Sequence, residues 1–181
     1  AYIYLNNGIL TLDGSDKEII LKPYDKFWKG IYVNNAPGLS LINNTKIISV
    51  KNFEHDGIYL TGGINFYKSD VEIAYTKILD NKCEDAINII DSQFKISNLE
   101  IKNTLSDGID FDFSNGSITN SLFTDIGGDA IDTSGSKVSI IKTKIHNVKD
   151  KGLSAGENSK INIDQLKIES STYGMVSKDL S

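Results

Sequence analysis

SDGIDFDFSNGSITNSLFTDIGGDAIDTSGSKVSI, residues 106–140, holds the same short phrase twice, as Gly108-Ile109-Asp110 and Ala130-Ile131-Asp132. The pairing of a small residue with a large aliphatic one continues in both directions. It appears as Ala86-Ile87, Gly108-Ile109, Ala130-Ile131, Gly152-Leu153 and Gly174-Met175, each 22 residues after the last. Upstream, Gly57-Ile58 lies 29 residues before Ala86-Ile87, and Gly30-Ile31 a further 27 before that. A constant period, with insertions only in the N-terminal half, is the mark of a solenoid.

Between these phrases run stretches in which β-branched and polar residues alternate, such as FKISNLEI (94–101), SITNSLF (117–123), KVSIIKTKI (137–145) and KINIDQLKI (160–168). Asn, Asp, Gly and Ser punctuate them, prolines number only two, and no helical period is visible. That pattern is all-β. A repeat near 22 residues without helix is one coil of a single-stranded right-handed parallel β-helix, a solenoid of about seven coils. Each coil holds three short strands stacked roughly 4.8 Å from their counterparts. The leucine/asparagine consensus of leucine-rich repeats is missing.

The stack predicts an inward ladder of Ile31, Ile58, Ile87, Ile109, Ile131, Leu153 and Met175. Strand parity adds Val33, Leu60, Ile89, Phe111 and Phe113, with Thr133 and Ala155 as smaller members of the same row. The whole of 1–181 reads as one domain, expected to be a segment of a longer chain. Its ends then present bare strand edges.

Composition narrows the function. Net charge is −5, and all 19 basic residues are lysine. Nucleic-acid interfaces depend on arginine for bidentate contacts, so no nucleic-acid partner is expected. No apolar run has membrane-spanning length, so no membrane insertion is expected. The single cysteine, Cys83, excludes an internal disulfide framework.

LTGGINFYKSDVEI (60–73), EDAINII (84–90), SDGIDFDFSNGSI (106–118), GGDAIDTSGSKVSI (127–140), DKGLSAGENSKINI (150–163) and SKDLS (177–181) resemble the bacterial right-handed parallel β-helix repeat proteins, the pectate-lyase-like superfold. The likeness runs from about residue 28 onward. It is nearest to a branch of cell-surface and exopolysaccharide-related proteins without an assigned activity. It implies a secreted or cell-surface bacterial protein with a polysaccharide partner and with neighbouring domains in the same chain.

The carboxylates fall into columns. A turn column reads Asp56, Asp85, Asp107, Asp129, Lys151. An outward column reads Tyr32, Tyr59, Asn88, Asp110, Asp132, Ser154, with Asp112 two residues beyond Asp110 and Glu157 near the same face. Like charges stacked at strand spacing repel by roughly 1 to 4 kcal/mol per pair, so some compensation is required. Three readings stand side by side. The turn aspartates can accept backbone N–H groups from neighbouring turns. Asp110, Asp112 and Asp132 can offer the all-oxygen shell that calcium favours.

The third reading is catalysis on a polysaccharide, with Asp110, Asp132, Asp112 and Lys151 as catalytic candidates. Asn88, Asp107, Asp129, Glu157 and Tyr59 would then bind substrate. The resemblance implies two templates. In the lyase type a basic side chain takes the proton beside a calcium-neutralised uronate. Lys151 fits that role only with a lowered pKa, and its neighbours Asp129 and Asp150 raise it. In the polygalacturonase type paired carboxylates act as acid and base. SDGID (106–110) and GGDAID (127–132) are similar to that family's aspartate motifs. Asp150-Lys151-Gly152 stands where a Gly-His-Gly is expected, however, and no Arg-x-Lys follows.

The expected function is a module that binds or processes an acidic or polyhydroxylated polysaccharide on one exposed sheet. If it is an enzyme, it is a lyase, glycoside hydrolase or epimerase. The alternative is a non-enzymatic structural or adhesion domain. Trp28, Tyr32 and Tyr59 are candidates for an aromatic platform under sugar rings, or ordinary ladder pairs.

Overall fold

A computed structural model of the chain describes residues 1–55 and 57–181. It is a parallel β-solenoid of about seven turns, with a repeat of about 23 residues and no helix among the described residues. Three ladders of parallel strands run the length of the coil. Sheet I stacks Ile3–Asn6, Ile31–Asn34, Gly62–Tyr67, Asp85–Ile90, Asp107–Asp112 and Ile131–Ser134. Sheet II contains Ser40–Asn43, Val71–Ala74, Gln93–Ser97 and Asn115–Thr119. Sheet III contains Thr45–Ile48, Lys77–Asn81, Glu100–Thr104 and Leu122–Ile126. The last two strands, Lys137–Gly156 and Lys160–Ser177, are long because each bends through all three sheets.

The polygon closes because each corner takes a left-handed residue. Asn35, Lys68, Asp91, Phe113, Gly135 and Glu157 follow sheet I with φ between 48° and 61°. Asn44, Tyr75, Asn98, Asn120 and Lys142 follow sheet II in the same conformation. Asn and Asp tolerate this region better than other side chains, which accounts for their abundance between the strands. A second device is a buried serine at the corner after sheet I. Ser69 N–H donates to Ser92 Oγ, Ser92 to Ser114, Ser114 to Ser136, and Ser136 to Ser159, at 2.8–3.2 Å.

The core is the expected row. Ile31, Ile87, Ile109, Ile131 and Leu153 are buried in register, and so are Val33, Ile89, Phe111 and Thr133. Phe111 stacks on Phe94 of sheet II with ring centroids 4.1 Å apart.

Several expectations require correction. Ile31 pairs with Ile64, not Ile58, and Ile64 pairs with Ile87. Ile58 belongs to an antiparallel hairpin, Phe53–His55 with Ile58–Leu60, that leaves the coil. Its Gly-Ile phrase is a chance copy. The true one is Gly63-Ile64, and Asn65 and Phe66 take the places assigned to Tyr59 and Leu60. Gly62 occupies the turn position assigned to Asp56, which lies outside the described residues. Phe113 is 61% exposed, because its left-handed backbone turns the corner and breaks the alternation. Met175 pairs with Leu153 as expected yet is 60% exposed, since neighbouring strands lie on only one side of the Lys160–Ser177 strand. Trp28 is buried, its Nε1–H donating to Ile48 O, and is core rather than platform. The solenoid also extends further back than residue 28, because Ile3 stacks on Ile31.

Candidate functional site

Sheet I carries two chemistries, divided along the solenoid axis. Its middle coils hold the carboxylates. Strand pairing puts Asp85 beside Asp107, Asn88 beside Asp110, Asp110 beside Asp132, and Asp132 beside Ser154, so both columns are real.

Two of the turn aspartates, Asp107 and Asp129, work on the backbone, whereas Asp85 accepts from the Asn88 side chain and leaves the N–H of Asp107 to Glu84 O. Asp107 Oδ1 accepts the N–H of Asp129 one coil on, at 2.9 Å, and the Ser106 hydroxyl at 3.1 Å. Asp129 Oδ1 accepts the N–H of Lys151, again one coil on and at 2.9 Å. Gly128 makes the first contact feasible, because a Cβ there would stand 1.9 Å from Asp107 Oδ1. Each of these carboxylates thus caps a turn in the next coil, as the structural reading of the column requires.

Lys151 is a resident cation. Its Nζ lies 2.7 Å from Asp150 Oδ2 and 3.2 Å from Asp129 Oδ2. The hydrogen bond to Asp150, with the help of Asp129, raises its pKa against the opposing effect of burial. A proton-abstracting role for Lys151 needs the opposite shift.

Asp110 is the most perturbed group of the site. Burial, followed by the charges of Asp112, Asp85, Asp132 and Asp107, pushes its carboxyl up to about 8. Asp85, buried beside Asp107, is pushed up to about 6, again mainly by burial. Burial also raises Asp107, Asp112 and Asp129, with Lys151 opposing the shift at Asp129. Asp110 Oδ2 receives Asn88 Nδ2–H at 3.2 Å, and the same amide reaches Asp85 Oδ2 at 3.2 Å. Asp132 Oδ1 accepts the N–H of Thr133 at 2.9 Å. At neutral pH Asp110 therefore keeps its proton while standing one strand away from Asp132. A buried carboxyl that holds its proton beside a second carboxyl is the raw material of a general acid.

The carboxylates that converge are Asp107, Asp129 and Asp132, each with an oxygen within 4.8 Å of the others. Asp110 and Asp112, expected to share a calcium with Asp132, lie outside that trio. Oxygen donors of this kind suit calcium. Yet Asp107 Oδ1 and Asp129 Oδ1 already hold backbone N–H groups, and both oxygens of Asp129 face the Lys151 ammonium. A divalent ion here would have to displace Lys151. The nearby Ser154 hydroxyl is buried without a hydrogen-bond partner among the described residues. Glu157 stands exposed at the corner beyond and adds its charge to Asp112.

The other chemistry is aromatic: Tyr32 and Tyr59 of the expected platform do stand together, but as walls of a cleft that the sequence did not suggest, with Tyr67 in place of Trp28. The hairpin's Tyr59 and Leu60 stand against sheet I and close a cleft of about 250 Å³ with Tyr32, Tyr67 and Ile90, adjoining Asn88. Tyr59 is exposed, and its hydroxyl meets Asn52 Nδ2 at 3.0 Å. Asn65, at the base, is consumed by the backbone, bonding Gly62 N and O and Ile31 O. Asn88 links the two halves, since it adjoins the cleft and donates to Asp110. The missing signal was the register of the hairpin. With Gly57-Ile58 counted as a coil position, Tyr59 appears as a strand residue rather than as a wall.

No curated protein matches the chain. A solved structure described as "a putative glycosyl hydrolase from Parabacteroides merdae ATCC 43184" aligns over 89% of this chain and 82% of its own, at 11% identity and a TM-score of 0.44. A likeness that distant says nothing of activity. The family model for the right handed beta helix region matches residues 85–181, more than half of the chain and the part that carries the carboxylate columns. With its parallel coils and its 22-residue step, the chain belongs to the right-handed β-helix family.

Proposed function

We propose that sheet I is a carbohydrate-directed face that binds or processes a polyhydroxylated polysaccharide, in a protein secreted by or displayed on a bacterium. The single observation that carries this reading is Asp110. It is a carboxyl held protonated near neutral pH, one strand from Asp132 and one amide from an aromatic cleft. Protonated, it can donate to a glycosidic oxygen as the bond to the anomeric carbon breaks, while Asp132 takes a proton from the water that attacks that carbon. Burial first, and then the charges of Asp112 and Asp85, keep the proton on Asp110. Lys151, paired with Asp129 and Asp150, orients the turn rather than removing protons.

Incubation of the protein with a panel of bacterial and plant polysaccharides, followed by product analysis, tests the reading. Cleavage of one polymer, lost at least 100-fold in both Asp110→Asn and Asp132→Asn, supports it. Cleavage that survives in both variants would falsify the assignment of this pair. Binding without turnover would leave the face as a recognition surface. The structural alternative has its own observation, because Asp107 and Asp129 are engaged in capping turns. It expects no glycan signal at all.

A further inference from the structure

The cleft beside the carboxylates has a composition that selects for charge. Its wall is mostly Tyr32, Tyr59, Leu60, Tyr67 and Ile90, its polar lining is neutral, and among the described residues no lysine, aspartate or glutamate lines it. A carboxylate or ammonium placed inside would lose part of its water without gaining an oppositely charged partner. Just outside, Asp85 is joined to Asp110 through Asn88, so the approach carries the Asp85 carboxylate as well. Both facts act against a uronate. At about 250 Å³ the cleft falls below the roughly 300 Å³ at which pockets for drug-sized ligands begin, which leaves room for one ring and not for a chain. Tyrosine faces suit the apolar C–H face of a pyranose, and their hydroxyls and the Asn88 amide suit its rim.

We propose that this cleft is a subsite for a single uncharged pyranose residue of the polysaccharide, and that it makes the face selective for neutral over uronate-rich glycans. The inference rests on the carbohydrate reading above and narrows it, removing the acidic polymers that the sequence alone left open. One cation lies near: Lys68 Nζ stands 5.2 Å from the centre of the Tyr67 ring. It lines a neighbouring hollow with Asp70 and Asp91 rather than the cleft, so it is already faced by carboxylates.

The test is saturation-transfer NMR and calorimetry on the whole chain with three oligosaccharide sets. These are neutral (cello-, xylo- and manno-oligosaccharides), anionic (oligogalacturonates) and cationic (chitosan oligomers). The expected result is binding of a neutral set, saturation concentrated on one ring, and at least a fivefold loss of affinity in Tyr59→Ala. Tyr59 is 60% exposed, so this variant should fold, and an unchanged circular dichroism spectrum would show it. Lys68→Ala should leave neutral binding unchanged. Preferred binding of oligogalacturonate, weakened by Lys68→Ala, would overturn the subsite while leaving the carbohydrate reading intact. So would preferred binding of chitosan oligomers, or neutral binding that is indifferent to Tyr59→Ala. Absence of binding by all three sets would overturn the carbohydrate reading itself.

Discussion

Asp110 has a carboxyl whose folded pKa, about 8, lies far above its ordinary value of 3.8. The folded chain therefore holds a proton that the unfolded chain releases between about pH 4 and pH 8. Stability falls as pH rises through that window, since the folded state binds more protons there. Asp85, pushed up to about 6, acts in the same direction between about pH 4 and pH 6. Asp110→Asn keeps the shape without the charge. It should raise Tm by roughly 5 °C at pH 8 and leave it within a degree or two at pH 4, as thermal melts across pH would show. An equal gain at both pH values would mean that Asp110 carries no raised pKa. Lys151 is the complementary case. Lys151→Met leaves Asp129 and Asp150 without their cation, and should lower Tm by several degrees at pH 7. Millimolar calcium should return part of the loss in this variant while shifting the wild type little, because only the variant frees Asp107, Asp129 and Asp132 for a cation. A large calcium shift in the wild type would show that the ammonium does not hold the trio.

At the scale of the strand and its corner, stability rests on ladders that repeat once per coil. The serines after sheet I illustrate this. Ser114 Oγ accepts the N–H of Ser92 and itself donates toward Ile89 O and Asp112 O, fully buried. Ser114→Ala leaves a buried N–H without its acceptor and should cost about 1–3 kcal/mol, measured by urea denaturation. Ser117→Ala, on the exposed side of the same stretch, should cost under about 0.5 kcal/mol. Equal costs would refute the ladder's importance. The inward row could be read from Ile87, Ile109, Ile131 and Leu153 because burial imposes alternation on a strand. The corners could not. Phe113 follows Phe111 by two residues and so appears inward, yet a single left-handed residue reverses the chain's direction and sends it outward. Alternation holds only as far as the backbone stays extended. The stacking of Asp110 on Asp132 does imply a carboxyl that holds its proton, but burial, the larger cause of the shift, is not revealed by the Asp-x-Asp spacing.

For the molecule as a whole, the solenoid is a regular scaffold interrupted by a hairpin, and the proposed specificity rests on that hairpin. Lys51 bridges Lys82 in parallel, and Gly62 pairs with Asp85. The corner between these positions holds two residues, Cys83 and Glu84, in one coil, and ten, residues 52–61, in the coil before it. The added residues form the hairpin that closes the cleft, so the proposed recognition is separable from the architecture by deletion. Solenoid stability is approximately a sum over neighbouring coils, so shortening one corner to its ordinary length should be tolerated. Replacement of 52–61 by a two-residue Cys-Glu or Gly-Gly link should keep the β spectrum and hold Tm within about 5 °C, despite the loss of the buried Phe53. The same variant should lose the neutral-glycan signal and retain the high pKa of Asp110, whose partners Asp112, Asp85, Asp132 and Asp107 all lie beyond the deletion. Circular dichroism, calorimetric titration with oligosaccharide and a carboxyl NMR titration read these outcomes separately. Collapse of the fold would show that the hairpin clamps the coil rather than decorating it. Binding that survives the deletion would move the recognition site off the hairpin and onto the carboxylate coils alone.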